Sequence, residues 1–334
     1  MSDTSEASQR PDSRLVSVAP MMDCTDRHCR YLMRLLAPHV RLYTEMVHAN
    51  AVLKGDREKV LGFDVSEHPL ALQLGGSDPA SLARAAAIAA ERGFDEVNLN
   101  IGCPSDRVQS GQFGACLMAD PDRVADCVAA MNAAVKVPVT VKTRVGIDDH
   151  DDDAFLMRFI ERVRAGGCRH FIIHARKALL SGLSPKQNRS VPPLNYPRVY
   201  RLKEHAPELF IVINGGIDSI ADVRAHLNRV DGIMIGRKAY ADPFFLARLQ
   251  HEFVSASVPP VRDFKWVVSA MADYAERELA GGTPLHHITR HMTGLAAGRP
   301  GARRWRRFLT EQATRPGAGP EVLRDSLEIL AAVA

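Results

Sequence analysis

The 334-residue sequence lacks long apolar segments, and no run approaches the ~20 apolar residues that a helix needs to cross a bilayer. It also lacks an apolar leader with a small-residue cleavage site, and six cysteines are few for a chain of this length. Disulfide-rich secreted domains are short and dense in cysteine, so we expect reduced thiols and a soluble cytoplasmic protein. Residues 1–13 are polar without a basic amphipathic pattern, which predicts a disordered tail.

The sequence has only a small excess of one charge. The formal net charge is +4 and the pI is about 8.8, and these values alone do not indicate a nucleic-acid partner. Hydrophobic residues make up 46% and charged residues 25% of the chain, which is typical of a globular protein with a sizeable core.

Short apolar runs alternate with helical patterns from residue 15 onward. The eight candidate strands are residues 15–18, 42–45, 70–74, 96–100, 139–143, 170–174, 211–214 and 232–235. The clearest helical patterns are residues 79–92, 122–134, 152–165 and 220–229. Eight such units in about 240 residues predict a (β/α)₈ TIM barrel over residues 14–254. An open doubly wound sheet remains the alternative, although no Gly-x-Gly-x-x-Gly turn follows the first strand.

The alternation stops after Ala247, and a small all-α helical-bundle domain is predicted over residues 255–334. Residues 255–260 are typical of a linker, and the helices are expected at 263–279, 285–297, 302–313 and 321–332. Between Arg290 and Arg315 there are seven arginines against one acidic residue, Glu311. Arginines around Trp305 suit a phosphate backbone with a base to stack upon, and the alternative is a solvated helix face.

Polar or backbone-exposing residues lie at or just past the ends of seven candidate strands. They are Pro20, Gln73, Asn100, Lys142, His174, Asn214 and Gly236. The carboxyl ends of barrel strands converge on one mouth, where barrel enzymes build their sites. Two turns there, Asn214-Gly215-Gly216 and Gly236-Arg237, offer bare backbone N–H groups near helix starts, which predicts a phosphate site.

The stretch Asn98-Leu99-Asn100-Ile101-Gly102-Cys103-Pro104-Ser105 runs from a buried strand into a glycine turn that presents a cysteine. The chemistry is predicted here, and the alternative is that Cys103 is a small core residue. Residues 105–116 carry Gly111 and Gly114 and predict a mobile flap. The run of aspartates at 148–153 predicts a solvated helix start rather than a metal site.

The ordered motifs resemble those of the tRNA-dihydrouridine synthases from Val16 to about Ala313. The matching motifs are Ala19-Pro20-Met21, Gln73-Leu74-Gly75, the Asn98–Pro104 stretch, Lys142-Thr143-Arg144, His174-Ala175-Arg176, Asn214-Gly215-Gly216 and Gly236-Arg237. Leu183-Ser184-Pro185-Lys186-Gln187-Asn188-Arg189 and Ile288-Thr289-Arg290-His291-Met292 are most similar to the branch that modifies D-loop positions 20 and 20a.

The resemblance implies that FMN, reduced by NADPH, reduces the 5,6 double bond of uracil in the tRNA D-loop. The implied FMN contacts are Pro20, Met21 and Met22 along the ring, Gln73 and Lys142 at its polar edge, His174 nearby, and Asn214, Gly215, Gly216, Gly236 and Arg237 at the phosphate. Asn100 is then expected to contact the target nucleotide, and the other implied tRNA contacts are Lys186, Arg189, Arg303 and Arg306.

Cys103 is the acid that the resemblance implies for C5 of the base. An ordinary thiol, with a pKa of about 8.5, is mostly protonated at neutral pH and can donate a proton without special activation. No metal, membrane or stable protein partner is expected. The alternatives are a flavin barrel that reduces a free pyrimidine or enone, and a catalytically inactive barrel that binds RNA.

Overall fold

The structure is a computed structural model that describes residues 15–254 and 263–331. The predicted tail at 1–13 and the predicted linker at 255–260 lie outside these ranges. No helix within the described ranges is both long and apolar enough to cross a membrane.

Eight parallel strands form the centre of the molecule. They are β1 Val16–Val18, β2 Leu42–His48, β3 Leu70–Gly75, β4 Glu96–Ile101, β5 Val139–Arg144, β6 His170–His174, β7 Phe210–Asn214 and β8 Gly232–Ile235. Their hydrogen-bonded order is β1-β8-β7-β6-β5-β4-β3-β2. Arg41 closes the remaining gap, because its carbonyl accepts from the Val18 amide at 2.9 Å and its amide donates to the Val16 carbonyl at 3.1 Å. The predicted barrel is confirmed, and the open sheet is excluded.

Helices lie between the strands and after the last of them. They are α1 Arg27–Leu36, α2 Ala49–Lys54, α3 Arg57–Leu61, α4 Pro79–Glu91, α5 Asp106–Ser110, α6 Pro121–Ala134, α7 Asp153–Ala165, α8 Tyr196–His205, α9 Ile220–Leu227, α10 Arg237–Ala241, α11 Phe244–Leu249, α12 Phe264–Ala280, α13 Leu285–Thr289, α14 Ala302–Gln312 and α15 Glu321–Ala331. Side chains that accept from the first-turn amides begin many of them, such as Asp78 for α4 and Asp152 for α7.

The strands are buried on both faces, as is usual where helices cover a parallel sheet. Every residue of β3 and β4 is buried. A layer of apolar side chains, including Tyr43, Ile172 and Met234, fills part of the barrel interior. The interior also holds polar side chains, and the buried carboxylate Glu96 is 3.3 Å from the guanidinium of Arg41. The polar interior therefore extends well below the mouth.

Helices α12 to α15 pack around a second apolar cluster, which also includes Leu32 and Leu36 of α1. Trp305 is fully buried in this cluster, where it packs edge-on against Phe264 and donates from Nε1 to Ser326 at 3.1 Å. The expectation that Trp305 stacks on a base is therefore wrong. Trp305 lies on the buried face of the amphipathic helix α14 and belongs to the hydrophobic core, whereas the arginines of this helix are exposed.

The prediction of a single helix over residues 285–297 is also wrong. The segment consists of α13, a turn, and a 3-10 helix at Met292–Gly294. The backbone passes so close to α10 here that a Cβ on Gly294 would lie 2.5 Å from the Tyr240 carbonyl oxygen. This close approach, together with a 2.9 Å hydrogen bond between His291 and Asp26, anchors the segment beside the loop that follows β1.

Candidate active site

The strand register brings the predicted polar residues to one mouth. Asn100 lies opposite Lys142 in the β4–β5 pair, and His174 lies opposite Asn214 in the β6–β7 pair. The ammonium group of Lys142 donates to Oδ1 of Asn214 at 3.1 Å, which links β5 to β7. Gln73, two residues before the end of β3, is buried and accepts from the Asn100 amide at 2.8 Å. Strand register thus places two hydrogen-bonded pairs, Lys142–Asn214 and Gln73–Asn100, side by side at the mouth.

The turn after β4 presents Cys103. Oδ1 of Asn100 accepts from the amides of Gly102 at 3.1 Å and Cys103 at 2.9 Å, so this side chain defines the turn. The thiol is partly exposed and lies 3.5 Å from the Ser105 hydroxyl. Asn100 was expected to contact the target nucleotide. That role stays a prediction, but the Asn100 side chain already makes three hydrogen bonds to the protein itself.

Residues 105–116, the predicted flap, contain helix α5 and the start of a 3-10 helix, and Val108, Phe113 and Ala115 are buried. Nε2 of Gln109 donates to the carbonyl of Pro104 at 2.8 Å and to the carbonyl of Leu180 at 2.6 Å. The segment is thus joined to the loop after β6. The sequence did not predict this packing, because the three buried apolar residues are spread over eight positions and form no regular pattern.

The loop after β6 is joined to the Cys103 turn a second time, by Arg144. Its Nε donates to the Gly102 carbonyl at 2.8 Å, and its Nη1 donates to the carbonyls of Lys177 at 3.0 Å and Asn188 at 3.1 Å. Asn188 is fully buried and accepts from the Leu179 amide at 2.8 Å. Sequence reasoning quoted Arg144 and Asn188 within motifs but assigned neither a role. Only the fold shows that Arg144 bridges two loops.

Two glycines after β7 form a concave backbone surface beside His174. Gly215 and Gly216 have φ values of +114° and +71°, a region that favours glycine. A Cβ on Gly215 would lie 2.8 Å from Cδ2 of His174. After β8, a Cβ on Gly236 would have its nearest neighbours at 3.8 Å, in Ala19 and Met21, so the backbone is accessible there. Bare amides with this geometry fit an anionic group such as a phosphate.

Cations surround this surface. Nη2 of Arg237 donates to the Arg189 carbonyl at 3.2 Å, and Nε of Arg176 is buried without a hydrogen-bond partner. Among the residues that the structure describes, no carboxylate pairs with Lys142, Arg144, Arg176, Arg189 or Arg237. The site is therefore a cluster of uncompensated positive charge, and the unpartnered Arg176 nitrogen fits a bound anion.

Burial and mutual repulsion change the protonation of the mouth. Burial, reinforced by Arg144, lowers the pKa of Lys142 from 10.5 to about 7. Burial and the cations around it, led by Arg144, hold the pKa of His174 well below its usual range. His174 is therefore a neutral imidazole at pH 7. A negatively charged ligand beside Lys142 would favour the ammonium form.

The loop after β1 completes the mouth. The Met21 amide donates to Oγ1 of Thr25 at 3.0 Å, which shapes the turn that begins at Pro20. Met21 packs against the apolar layer of the barrel interior, whereas Met22 is 55% exposed. These positions allow Met21 to support a flat ring system from one side.

The predicted tRNA contacts fall into two places. Lys186 and Arg189 lie in the loop that Arg144 and Asn188 hold beside the mouth. Arg303 and Arg306 are exposed on α14, on the side of the helix away from the buried Trp305. Both pairs form basic surfaces, and their contact with tRNA stays a prediction.

Acidic side chains near the mouth have partners that do not require a metal. Asp152 caps α7 by accepting from the Phe155 amide at 2.6 Å, and Asp151 and Asp153 both pair with Arg198. Within residues 15–254 and 263–331, no group of three or more His, Cys, Asp and Glu side chains is arranged to hold a metal ion.

A family profile described as dihydrouridine synthase (Dus) matches residues 17–331. The chain belongs to the dihydrouridine synthase family. Two relatives within that family are similar over nearly the whole chain. The tRNA-dihydrouridine(20/20a) synthase of Vibrio cholerae is 55% identical and covers 93% of this chain and 95% of its own. The enzyme of the same name from Xanthomonas axonopodis pv. citri is 57% identical, with 94% and 93% coverage.

A distant solved structure has the same barrel as this dihydrouridine synthase family member. A complex of 2-naphthoyl-CoA reductase with 2-naphthoyl-CoA superposes with a TM-score of 0.53 at 10% sequence identity. The match covers 70% of this chain and 49% of that one. At this identity, the likeness concerns the fold alone.

Proposed function

We propose that this protein is a tRNA-dihydrouridine synthase that uses FMN and NADPH to reduce uridines at D-loop positions 20 and 20a. The observation behind the proposal is that one barrel mouth holds a partly exposed cysteine, a glycine cradle and uncompensated cations in a chain of this family. Its relatives named for positions 20 and 20a are 55–57% identical. We place the FMN-binding catalytic part at 14–254, the tRNA-binding helical part at 255–334, and the enzyme in the cytoplasm.

The residues present fit FMN. The amides at Gly215, Gly216 and Gly236, with the Arg237 and Arg176 guanidinium groups, would hold its phosphate. Lys142 and Gln73 would contact the polar edge of its ring, with Asn214 orienting the lysine through their 3.1 Å hydrogen bond. When bound and reduced by NADPH, FMN supplies a hydride to C6 of uracil.

Cys103 completes the reaction from the other face of the base. Hydride addition at C6 leaves an electron pair at C5, and the thiol donates its proton there, so that a C5–H bond forms and the S–H bond breaks. The thiolate then recovers a proton from solvent. The Asn100 amide oxygen and the Arg144 guanidinium both fix the peptide bond that precedes Cys103, and the ammonium of Lys142 stabilises negative charge in the mouth.

Positive charge outside the mouth supports tRNA binding. The target uridine must leave its stack to reach the mouth, at a cost of roughly a few kcal/mol. Contacts of Lys186, Arg189, Arg303 and Arg306 with phosphates would offset this cost. A free pyrimidine offers no phosphates for Arg303 and Arg306 of α14.

Three measurements test the proposal: dihydrouridine mapping, a comparison of two cysteine variants, and the rate of NADPH oxidation with unmodified tRNA or with free uracil. Dihydrouridine is mapped in tRNA from cells that lack this protein, and its loss at positions 20 and 20a is the expected result. Purified Cys103→Ala is compared with Cys116→Ala, since Cys116 is a partly buried thiol on the same segment whose Sγ contacts the Phe113 carbonyl at 3.2 Å. We expect Cys103→Ala alone to lose dihydrouridine formation while it retains flavin. Wild-type activity in Cys103→Ala, or faster NADPH oxidation with uracil than with unmodified tRNA, would contradict the proposal.

A further inference from the structure

A buried carboxylate lies deep in the barrel interior, at the first residue of β4. Glu96 is 1% exposed, and its Oε1 accepts from the hydroxyls of Tyr43 and Thr140, both at 2.6 Å. Arg41 lies 3.3 Å from its other oxygen. The Tyr43 hydroxyl donates its one proton to Glu96, whereas the Thr140 hydroxyl also accepts a hydrogen bond from Asn98, on the side of the mouth.

A continuous chain of hydrogen bonds runs from Thr140 to the Cys103 turn. Oγ1 of Thr140 accepts from the Asn98 amide at 2.8 Å. Oδ1 of Asn98 accepts from the Gln73 amide at 2.7 Å, and Oε1 of Gln73 accepts from the Asn100 amide at 2.8 Å. Oδ1 of Asn100 accepts from the backbone amides of the turn, including that of Cys103 at 2.9 Å. All four side chains are buried.

The two ends of this chain give it one direction. A carboxylate only accepts hydrogen bonds, and a backbone N–H only donates them. Every side chain between these ends must therefore donate toward Glu96 and accept from the mouth side. Rotating the amide of Gln73 by 180° would place an N–H group against an N–H group and an oxygen against an oxygen, and this costs free energy because Gln73, Asn98 and Asn100 are buried.

We infer that Glu96 and Thr140 are positioning residues, which act through this hydrogen-bond chain to hold the Gln73 and Asn100 amides in one orientation and thereby set the Cys103 turn. The inference rests on the proposed function in placing Gln73 and Cys103 in the reactive site. Neither Glu96 nor Thr140 reaches the mouth itself. Their influence on the Cys103 turn depends on every hydrogen bond of this series being present.

Thr140 and Tyr43 form a matched pair for a test. Each donates one buried hydroxyl to the same oxygen of Glu96 at the same distance, but only Thr140 belongs to the chain. Thr140→Val preserves shape and breaks the chain, while Thr140→Ser keeps the hydroxyl. Tyr43→Phe removes an equivalent hydrogen bond beside the chain.

Three quantities are measured on each purified variant. They are the FMN affinity of the apoprotein by fluorescence titration, the visible flavin spectrum of the holoenzyme, and the rate at which saturating tRNA reoxidises the reduced holoenzyme. We expect Thr140→Val to lower the reoxidation rate about tenfold or more with the KM for tRNA unchanged. We also expect it to shift the flavin spectrum and weaken FMN binding. Thr140→Ser and Tyr43→Phe should match wild type in all three.

Two results would overturn the inference. One is Thr140→Val with wild-type affinity, spectrum and rate, and the other is Tyr43→Phe with the same losses as Thr140→Val. If Thr140→Val does not fold, Glu96→Gln replaces it as the test variant, again with Tyr43→Phe as the control. A glutamine at position 96 can donate as well as accept, so the hydrogen-bond chain would no longer have one enforced direction. Failure of the proposed function is distinguishable, because wild type would then form no dihydrouridine while the affinity and spectral differences remained.

Discussion

Lys142 should destabilise the apoprotein at neutral pH, and replacing it with methionine tests this. Burial and Arg144 lower the pKa of Lys142 to about 7, from 10.5. Between these two values the unfolded chain binds a proton that the folded chain does not, so the free energy of unfolding rises with pH in this window. Below pH 7 both states bind the proton, and the full destabilisation is present.

The magnitude follows from the size of the shift. Each pH unit between the two pKa values contributes at most about 1.4 kcal/mol. Lys142 is partly exposed and solvent reduces this value, so we take about half. From pH 6.5 to pH 9, the unfolding free energy of the wild-type apoprotein should therefore rise by about 1–2 kcal/mol relative to Lys142→Met. A bound anion should reduce the difference, because it stabilises the ammonium.

Urea denaturation of flavin-free protein across this pH range measures the effect. Lys238→Met is a suitable control, because Lys238 lies just after β8 and pairs with Asp242 at 3.2 Å. Lys142→Met should also lose dihydrouridine formation even where it is the more stable protein. The reasoning is refuted if Lys142→Met is less stable than wild type at pH 6.5 and shows the same pH dependence.

Further predictions concern the cradle, the segment after Cys103 and the basic helix. Gly215→Ala should weaken FMN binding at least tenfold in an apoprotein titration, because the new Cβ would lie 2.8 Å from Cδ2 of His174. Gly282→Ala is the control and should leave FMN binding unchanged, because Gly282 also has a positive φ but has open space around it. Gln109→Leu should lower the single-turnover rate with tRNA about tenfold while FMN affinity is unchanged, because it frees the segment from the loop after β6; an unchanged rate would contradict this role. Arg306→Ala should reduce the salt dependence of tRNA binding by about one phosphate contact, and an unchanged salt slope would place tRNA elsewhere. Trp305→Ala should lower the free energy of unfolding by about 3–5 kcal/mol in urea, as expected of a core residue.

Local patterns were sufficient to predict the barrel. Each apolar run of four or five residues followed by a helical pattern forms its own βα unit, and eight parallel units of this size close on themselves. The residues at the strand ends were predictable for the same reason, since parallel strands bring their carboxyl ends together. The long β2, which extends to His48 rather than Glu45, shows that strand ends are less certain than strand cores.

Side chains whose role depends on distant partners were not predictable. The sequence offered Arg144 as one cation among many, and Trp305 as an aromatic residue among arginines. Only packing decided that Arg144 joins two loops and that Trp305 faces inward. The same holds for Glu96, which has no partner nearby in the sequence.

The sequence by itself determined the repeated strand-helix order, the cysteine on its glycine turn and the family, because each of these can be recognised from short stretches of contiguous residues. The tertiary structure alone decided how the mouth is charged and how the interior amides are oriented. The physical reason is that burial and hydrogen-bond direction depend on groups that folding brings together from distant parts of the chain. Asn98 and Thr140 are 42 residues apart, and only the register of β4 against β5 makes them partners.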